Sequence, residues 1–183
     1  MNAIELLKDD HKKMRGLLSD LEATSKRGVK TRTTLLETVA RELAVHAAIE
    51  EEIFYPAFKA AAEKSDDDAM VFEALEEHRA AEDLVLPDLQ KTDPASDQFS
   101  GRAKVLKELI EHHADEEEKE MFPRARQLLD AAQLRQLGEA MAERKRQLVA
   151  HPESKTERAT NRLIGAVVDA ILPATGDHAG GAR

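Results

Sequence analysis

Cysteine is absent from this 183-residue sequence, which removes disulfides, zinc–thiolate sites, iron–sulfur clusters and thiol catalysis together. Aromatic residues make up only 3%, and glycine and proline are sparse. A β-sandwich or barrel needs more β-branched and aromatic residues and many more turn signals, so sheet folds are disfavoured. No apolar run approaches the roughly 20 residues that span a bilayer, and no membrane partner is expected. Residues 1–10 are acidic and amphipathic rather than basic and then apolar, so no signal peptide is read and a cytoplasmic location is expected. Positive charge is also short. With a formal net charge of -9, nucleic acid is an unsuitable partner, because phosphate binding needs clustered Lys and Arg. The one basic run, Arg144-Lys145-Arg146, reads as a solvated helix face.

What is present favours helix. Ala, Leu, Glu, Lys and Arg are abundant, and straight side chains lose little rotamer freedom in a helix. The expected class is all-α, an antiparallel up-down four-helix bundle over 1–150 with a short fifth helix, followed by a tail at 151–183. Apolar residues recur at spacings of three and four. The four stripes run through Ile4, Leu7, His11, Met14, Leu18 and Leu21; through Leu36, Val39, Leu43, His46, Glu50, Ile53 and Ala57; through Val71, Leu75, His78, Glu82, Val85 and Leu89; and through Leu106, Ile110, His113, Glu117 and Met121. Gly28 separates the first two, and Ser65 with three aspartates caps the third. Thr92-Asp93-Pro94 breaks the chain before a fourth helix expected from Ser100 to about Leu129. Asp130 caps a helix over 131–150, which His151-Pro152 ends. Beyond it, an apolar patch at 163–172 reads as a short helix and 179–183 as disordered.

Polar residues interrupt every stripe at mid-helix. A buried imidazole or carboxylate is costly unless hydrogen-bonded, paired or bound to metal. His46 and Glu50 are four apart and share a helix face, as are His113 and Glu117. A shift of 67 residues takes His11 to His78, His46 to His113, Glu50 to Glu117, Tyr55 to Phe122 and Pro56 to Pro123. The chain therefore reads as an internal repeat whose halves bring two ligand sets together about a pseudo-two-fold axis. Imidazole with carboxylate suits iron, zinc, manganese or copper. Four histidines divided between two metals, with Glu50 and Glu117 bridging, leave octahedral positions for an oxo or hydroxo bridge and an exogenous ligand.

These motifs resemble the hemerythrin-like, HHE cation-binding domain proteins. The segments 46–56 (HAAIEEEIFYP) and 112–123 (HHADEEEKEMFP) look like that family's two metal-binding helices, and the resemblance covers roughly 1–150. It implies a carboxylate-bridged centre of two Fe ions on His11, His46, Glu50, His78, His113 and Glu117, meeting dioxygen, peroxide or nitric oxide. One departure matters. Oxygen-carrying hemerythrins of invertebrates have two histidines four apart on the third helix, where this sequence has His78-Arg79-Ala80-Ala81-Glu82. A poorer nitrogen shell favours catalase-like or stress-response chemistry over oxygen transport. An iron or oxygen sensor, or a storage module without turnover, is the alternative.

Glu82 is left open between direct ligation, orientation of a ligand and a salt bridge. Tyr55, the only tyrosine, reads as core, with tuning or ligation of a metal as its other role. Phe54, Phe58, Phe72 and Phe122 read as core. His112 lies about 100° round the helix from His113 and is left outside the ligand set. His151 and His178 lie beyond the bundle, and Asp115 to Glu118, apart from Glu117, reads as a solvated acidic face.

Overall fold

The structure is a computed structural model that describes residues 1–62 and 65–153, all in helices or their connections and without a strand. Helix α1 (Ala3–Ala23) opens with a reciprocal cap in which Asn2 accepts from the Glu5 N–H and Glu5 accepts from the Asn2 N–H. Helix α2 joins Val29–Ile49, a π-turn at Glu50–Phe54 and Tyr55–Ala61. Helix α3 joins Ser65–Arg79, a π-turn at Ala80–Val85 and Leu86–Gln90. Helix α4 joins Asp97–Glu116, a π-turn at Glu117–Met121 and Phe122–Leu128. Helix α5 (Ala131–Ala150) begins on an Asp130–Gln133 capping box. The fourth helix starts three residues before the expected Ser100, because the Ser96 hydroxyl accepts from the Phe99 N–H and makes Ser96 the cap. The expectations for 163–172, 179–183 and His178 lie outside the described residues.

The three π-turns share one cause. Each is followed by a proline: Pro56, Pro87 and Pro123. A proline inside a helix removes an N–H and clashes with the carbonyl four residues back. The helix widens instead of breaking, and the residue before each proline bonds to the carbonyl five back: Tyr55 to Glu50, Leu86 to Ala81 and Phe122 to Glu117.

Two apolar clusters form the core. One contains Ile4, Leu7, Ile49, Phe54, Phe58, Val71 and Phe122; the other contains Leu18, Leu21, Val39, Leu43, Leu89, Phe99 and Leu106. Helices α1 and α3 lead from the first cluster to the second, and α2 and α4 lead back. Each of α1 to α4 crosses the middle with a histidine, which places the four imidazoles between two dry layers. Burying each phenylalanine contributes about 1.5–3 kcal/mol. Phe72 is a correction: it is 59% exposed, one residue round the helix from buried Val71, with the Lys59 ammonium 4.6 Å from its ring centroid.

Helix α5 packs against α1 and α2. Gly138 permits this, since a Cβ there would lie 2.6 Å from the Asn2 carbonyl carbon and 2.7 Å from the Ala3 nitrogen. These are backbone atoms, which cannot swing aside. Gly138→Ala is expected to destabilise the protein by about 1–3 kcal/mol, the usual range for overpacking, and a thermal melt reads it directly.

Candidate metal centre

His11, His46, His78 and His113 come from α1 to α4 in order, and none exceeds 6% exposure. Glu50 and Glu117 follow one helical turn after His46 and His113 and are equally enclosed. Two of the three π-turns begin at these glutamates, and closure at the fifth residue brings positions 55 and 122 round toward the same interior. Phe122 accordingly stacks on His11 at 5.7 Å between ring centroids, and Tyr55 sits on His78 at the same separation.

The six expected donors are brought together. Glu50 Oε1 lies 3.3 Å from His46 Nε2, while its Oε2 lies 3.2 Å from His78 Nε2. Glu117 Oε2 lies 3.2 Å from His11 Nε2 and 3.8 Å from His113 Nε2. Two groups of donors result, His11 with His46, Glu50 and Glu117, and Glu50 with His78 and His113, each spanning no more than 4.8 Å. Glu50 belongs to both. His11 Nε2, both Glu50 oxygens and Glu117 Oε2 are buried without a hydrogen-bond partner. Carboxylates enclosed in this way are costly unless a cation meets them, and nitrogen with hard oxygen suits a first-row transition metal. The residues present therefore fit a bound metal.

The outer nitrogens are held by carboxylates that the sequence reading did not single out. His11 Nδ1 donates to Glu118 at 3.0 Å, His78 Nδ1 to Glu51 at 2.8 Å and His113 Nδ1 to Glu77 at 2.8 Å. Asp10 Oδ2 lies 3.8 Å from His46 Nδ1. An ionised carboxylate only accepts, so Nδ1 of His11, His78 and His113 carries the proton and their Nε2 lone pairs face inward. Glu118 is thus half-buried against His11 rather than simply part of the solvated face that the sequence suggested. The signal was present: the 67-residue shift takes Asp10 to Glu77 and Glu51 to Glu118, as it takes ligand to ligand.

Burial lowers the His46 pKa to about 4, with the neighbouring His11 adding to the effect, so the imidazole is neutral and ligand-ready at neutral pH. Burial and the facing Glu117 carboxylate push Glu50 well above the usual carboxylate range. Burial also opposes ionisation of Glu117, yet His113, His11 and His46 outweigh it and hold Glu117 low. Of these two facing carboxylates, Glu117 therefore favours its charged form far more than Glu50.

Tyr55 is one point where the halves differ. Its hydroxyl donates to Glu117 Oε1 at 2.9 Å and lies 3.4 Å from His78 Nε2, whereas Phe122 at the matching place has none. Burial and the Glu117 and Glu50 carboxylates raise its pKa well above the usual phenol value, which keeps the donor protonated. Core packing alone is therefore too small a role for Tyr55. Glu82 is buried, but among the described residues neither converging group includes it. His151 is exposed at the end of α5.

Residues 2–125 match the hemerythrin HHE cation-binding domain family. The chain belongs to that family. A crystal structure of a hemerythrin HHE cation-binding domain-containing protein from Mycobacterium kansasii superposes with a TM-score of 0.71 at 29% identity, covering 94% of this chain and 99% of that one. Uncharacterized proteins of Mycobacterium tuberculosis and Mycobacterium bovis are each 30% identical over 156 residues, covering 83% of this chain and 90% of theirs. The fold of this HHE protein is hemerythrin-like. Among its described residues, no helix is long and apolar enough to cross a membrane.

Proposed function

We propose that this HHE protein holds two iron ions on His11, His46, Glu50, His78, His113 and Glu117, in an antiparallel up-down bundle. Its reactants are dioxygen, peroxide or nitric oxide, and peroxide breakdown or a stress response is favoured over oxygen transport. The observation that carries this reading is Glu50, a fully buried carboxylate whose two oxygens face histidines of two different donor groups. Bound iron would supply one-electron and two-electron redox chemistry toward oxygen species.

The chain's own residues prepare the site for it. Glu118, Glu51 and Glu77 aim three of the imidazoles, and the two apolar clusters limit water on either side. The Tyr55 hydroxyl holds a proton at Glu117 Oε1 and gives one half of the centre a polar donor that the other lacks. Small diatomic or peroxide ligands match the scale of the cavity reaching the site, about 40 Å³. The acidic composition disfavours a nucleic-acid partner, and a cytoplasmic, membrane-independent role is part of the same proposal.

Elemental analysis of protein made in iron-replete medium, followed by a peroxide-loss assay on the same sample, tests the reading. Two irons per chain with peroxide loss are expected. Two irons without peroxide loss turn the function to sensing or storage, and iron-free protein defeats the proposal. Tyr55→Phe is expected to keep both metals while changing the near-ultraviolet absorption, since it removes the Glu117 donor and makes the two halves alike. An unchanged spectrum restricts Tyr55 to packing.

A further inference from the structure

The two halves of the centre match in ligands but differ in what covers them. Helix α5 lies across α1 and α2, where Leu6, Ile49 and Ile53 are buried beneath it and Lys145 pairs with Asp10. The 67-residue shift takes these three apolar positions to Glu73, Glu116 and Glu120, and takes Asp10 to Glu77. No helix lies over α3 and α4 in that way among the described residues. A cavity of about 40 Å³ opens there instead, lined by Glu73, Glu77, Glu116 and Glu120 and reaching His113 and Glu117.

An uncovered helix face is expected to be polar, but that alone does not choose a sign of charge. The cavity lining contains no lysine or arginine. At its floor, Glu117 Oε2 is buried without a hydrogen-bond partner. Along its wall, Glu77 connects outside to inside. Glu77 Oε1 lies 3.8 Å from His112 Nε2, and Glu77 Oε2 accepts from His113 Nδ1 at 2.8 Å. Glu116 lies 3.2 Å from the same His112 nitrogen, and donor atoms of Glu77, His112 and Glu116 span no more than 4.8 Å. His112, set aside on rotation alone, stands at 62% exposure with a carboxylate on either side.

From this cavity we infer that the opening between α3 and α4 is the port through which divalent cations reach the centre. Glu73, Glu116 and Glu120 draw the ion, and Glu77, His112 and Glu116 hold it briefly before it passes to His113 and Glu117. The α1–α2 side is closed by α5. A cleft lined by one sign of charge between low-dielectric walls raises the local concentration of the opposite charge and speeds association. Anionic reactants gain nothing from such a mouth, so the lining serves the metal. This inference rests on the metal-binding reading of the centre.

The test uses full-length protein stripped of metal by chelation. Ferrous ion is added anaerobically, uptake is stopped with excess chelator at increasing times, and protein-bound iron is counted. The variant is the triple substitution Glu73→Gln, Glu116→Gln and Glu120→Gln, none of which touches the proposed ligands. A second triple, Glu37→Gln, Glu108→Gln and Glu139→Gln, makes the same charge change on exposed positions outside the cavity. The port variant is expected to load about tenfold more slowly at low ionic strength, with the gap closing in high salt and the same final iron content. His112→Ala is expected to slow uptake in the same direction.

Equal rates for wild type and the port variant, at full final content, overturn the port while leaving the metal centre intact. Equal slowing by both triple variants also overturns it, because the effect then belongs to net charge. A wild type that takes up no iron defeats the metal reading and the port with it.

Discussion

Glu50→Ala is expected to leave the protein with at most one metal per chain and a lower melting temperature. Glu50 is the donor common to both groups, with one oxygen facing His46 and the other facing His78. Removing a histidine would cost one ion a ligand; removing Glu50 costs both. Metal bound only by the folded state stabilises by mass action, about 2.7 kcal/mol at a hundredfold excess over Kd. For a chain of this size that corresponds to roughly 5–11 °C, so the variant should melt lower by that order in the presence of metal. In excess chelator the difference should vanish, because the wild type then keeps a fully buried carboxylate with no hydrogen-bond partner. Elemental analysis and paired melts with and without chelator check both statements. Full metal content in Glu50→Ala would remove this residue, and the bridging geometry, from the proposal.

Glu51→Ala is expected to weaken metal affinity at the upper end of the 10–100-fold range typical of carboxylates that orient a ligating histidine, and Glu118→Ala at the lower end. Both accept from an Nδ1–H, on His78 and His11 respectively, and the repeat makes them equivalent. Their surroundings are not equivalent. The Glu51 side chain is 3% exposed and that of Glu118 is 24% exposed, so water can take over for Glu118 but not for Glu51. Glu118 also engages Arg15 at 2.7 Å, which ties part of its charge to the surface. Competition with a chromophoric chelator measures the two affinities. The ordering is the discriminating result. If both variants bind metal as tightly as wild type, the outer carboxylates serve the fold and not the ligands.

Much of the fold was legible because helical burial writes a period into the sequence. The stripes predicted α1, α2, α3 and α5 close to where they occur, and Asn2, Asp130 and Ser96 show how the ends are set by side chains that accept backbone N–H groups. Phe72 was misplaced because an aromatic one position off a stripe looks like core until the packing of the face is known. The π-turns went unread, although Pro56, Pro87 and Pro123 in mid-helix announced them. Period alone would have ended a helix at each, whereas the packing on both sides holds the rod together and makes it widen.

By itself the sequence determined an all-helical chain, its family, and the six candidate donors that the fold brings together, because a repeat of 67 residues preserves residue types at matching depths. It could not determine which nitrogen of each histidine faces inward. That depends on Glu118 reaching His11 from 107 residues away and Glu51 reaching His78 from 27, contacts that exist only once the helices are packed. Nor could it determine that the halves differ in exposure. The repeat carries ligand to ligand but has no term for α5, which lies on one half alone and leaves the other open through a mouth of glutamates. Local periodicity encodes which face a residue occupies; only tertiary packing decides what that face meets.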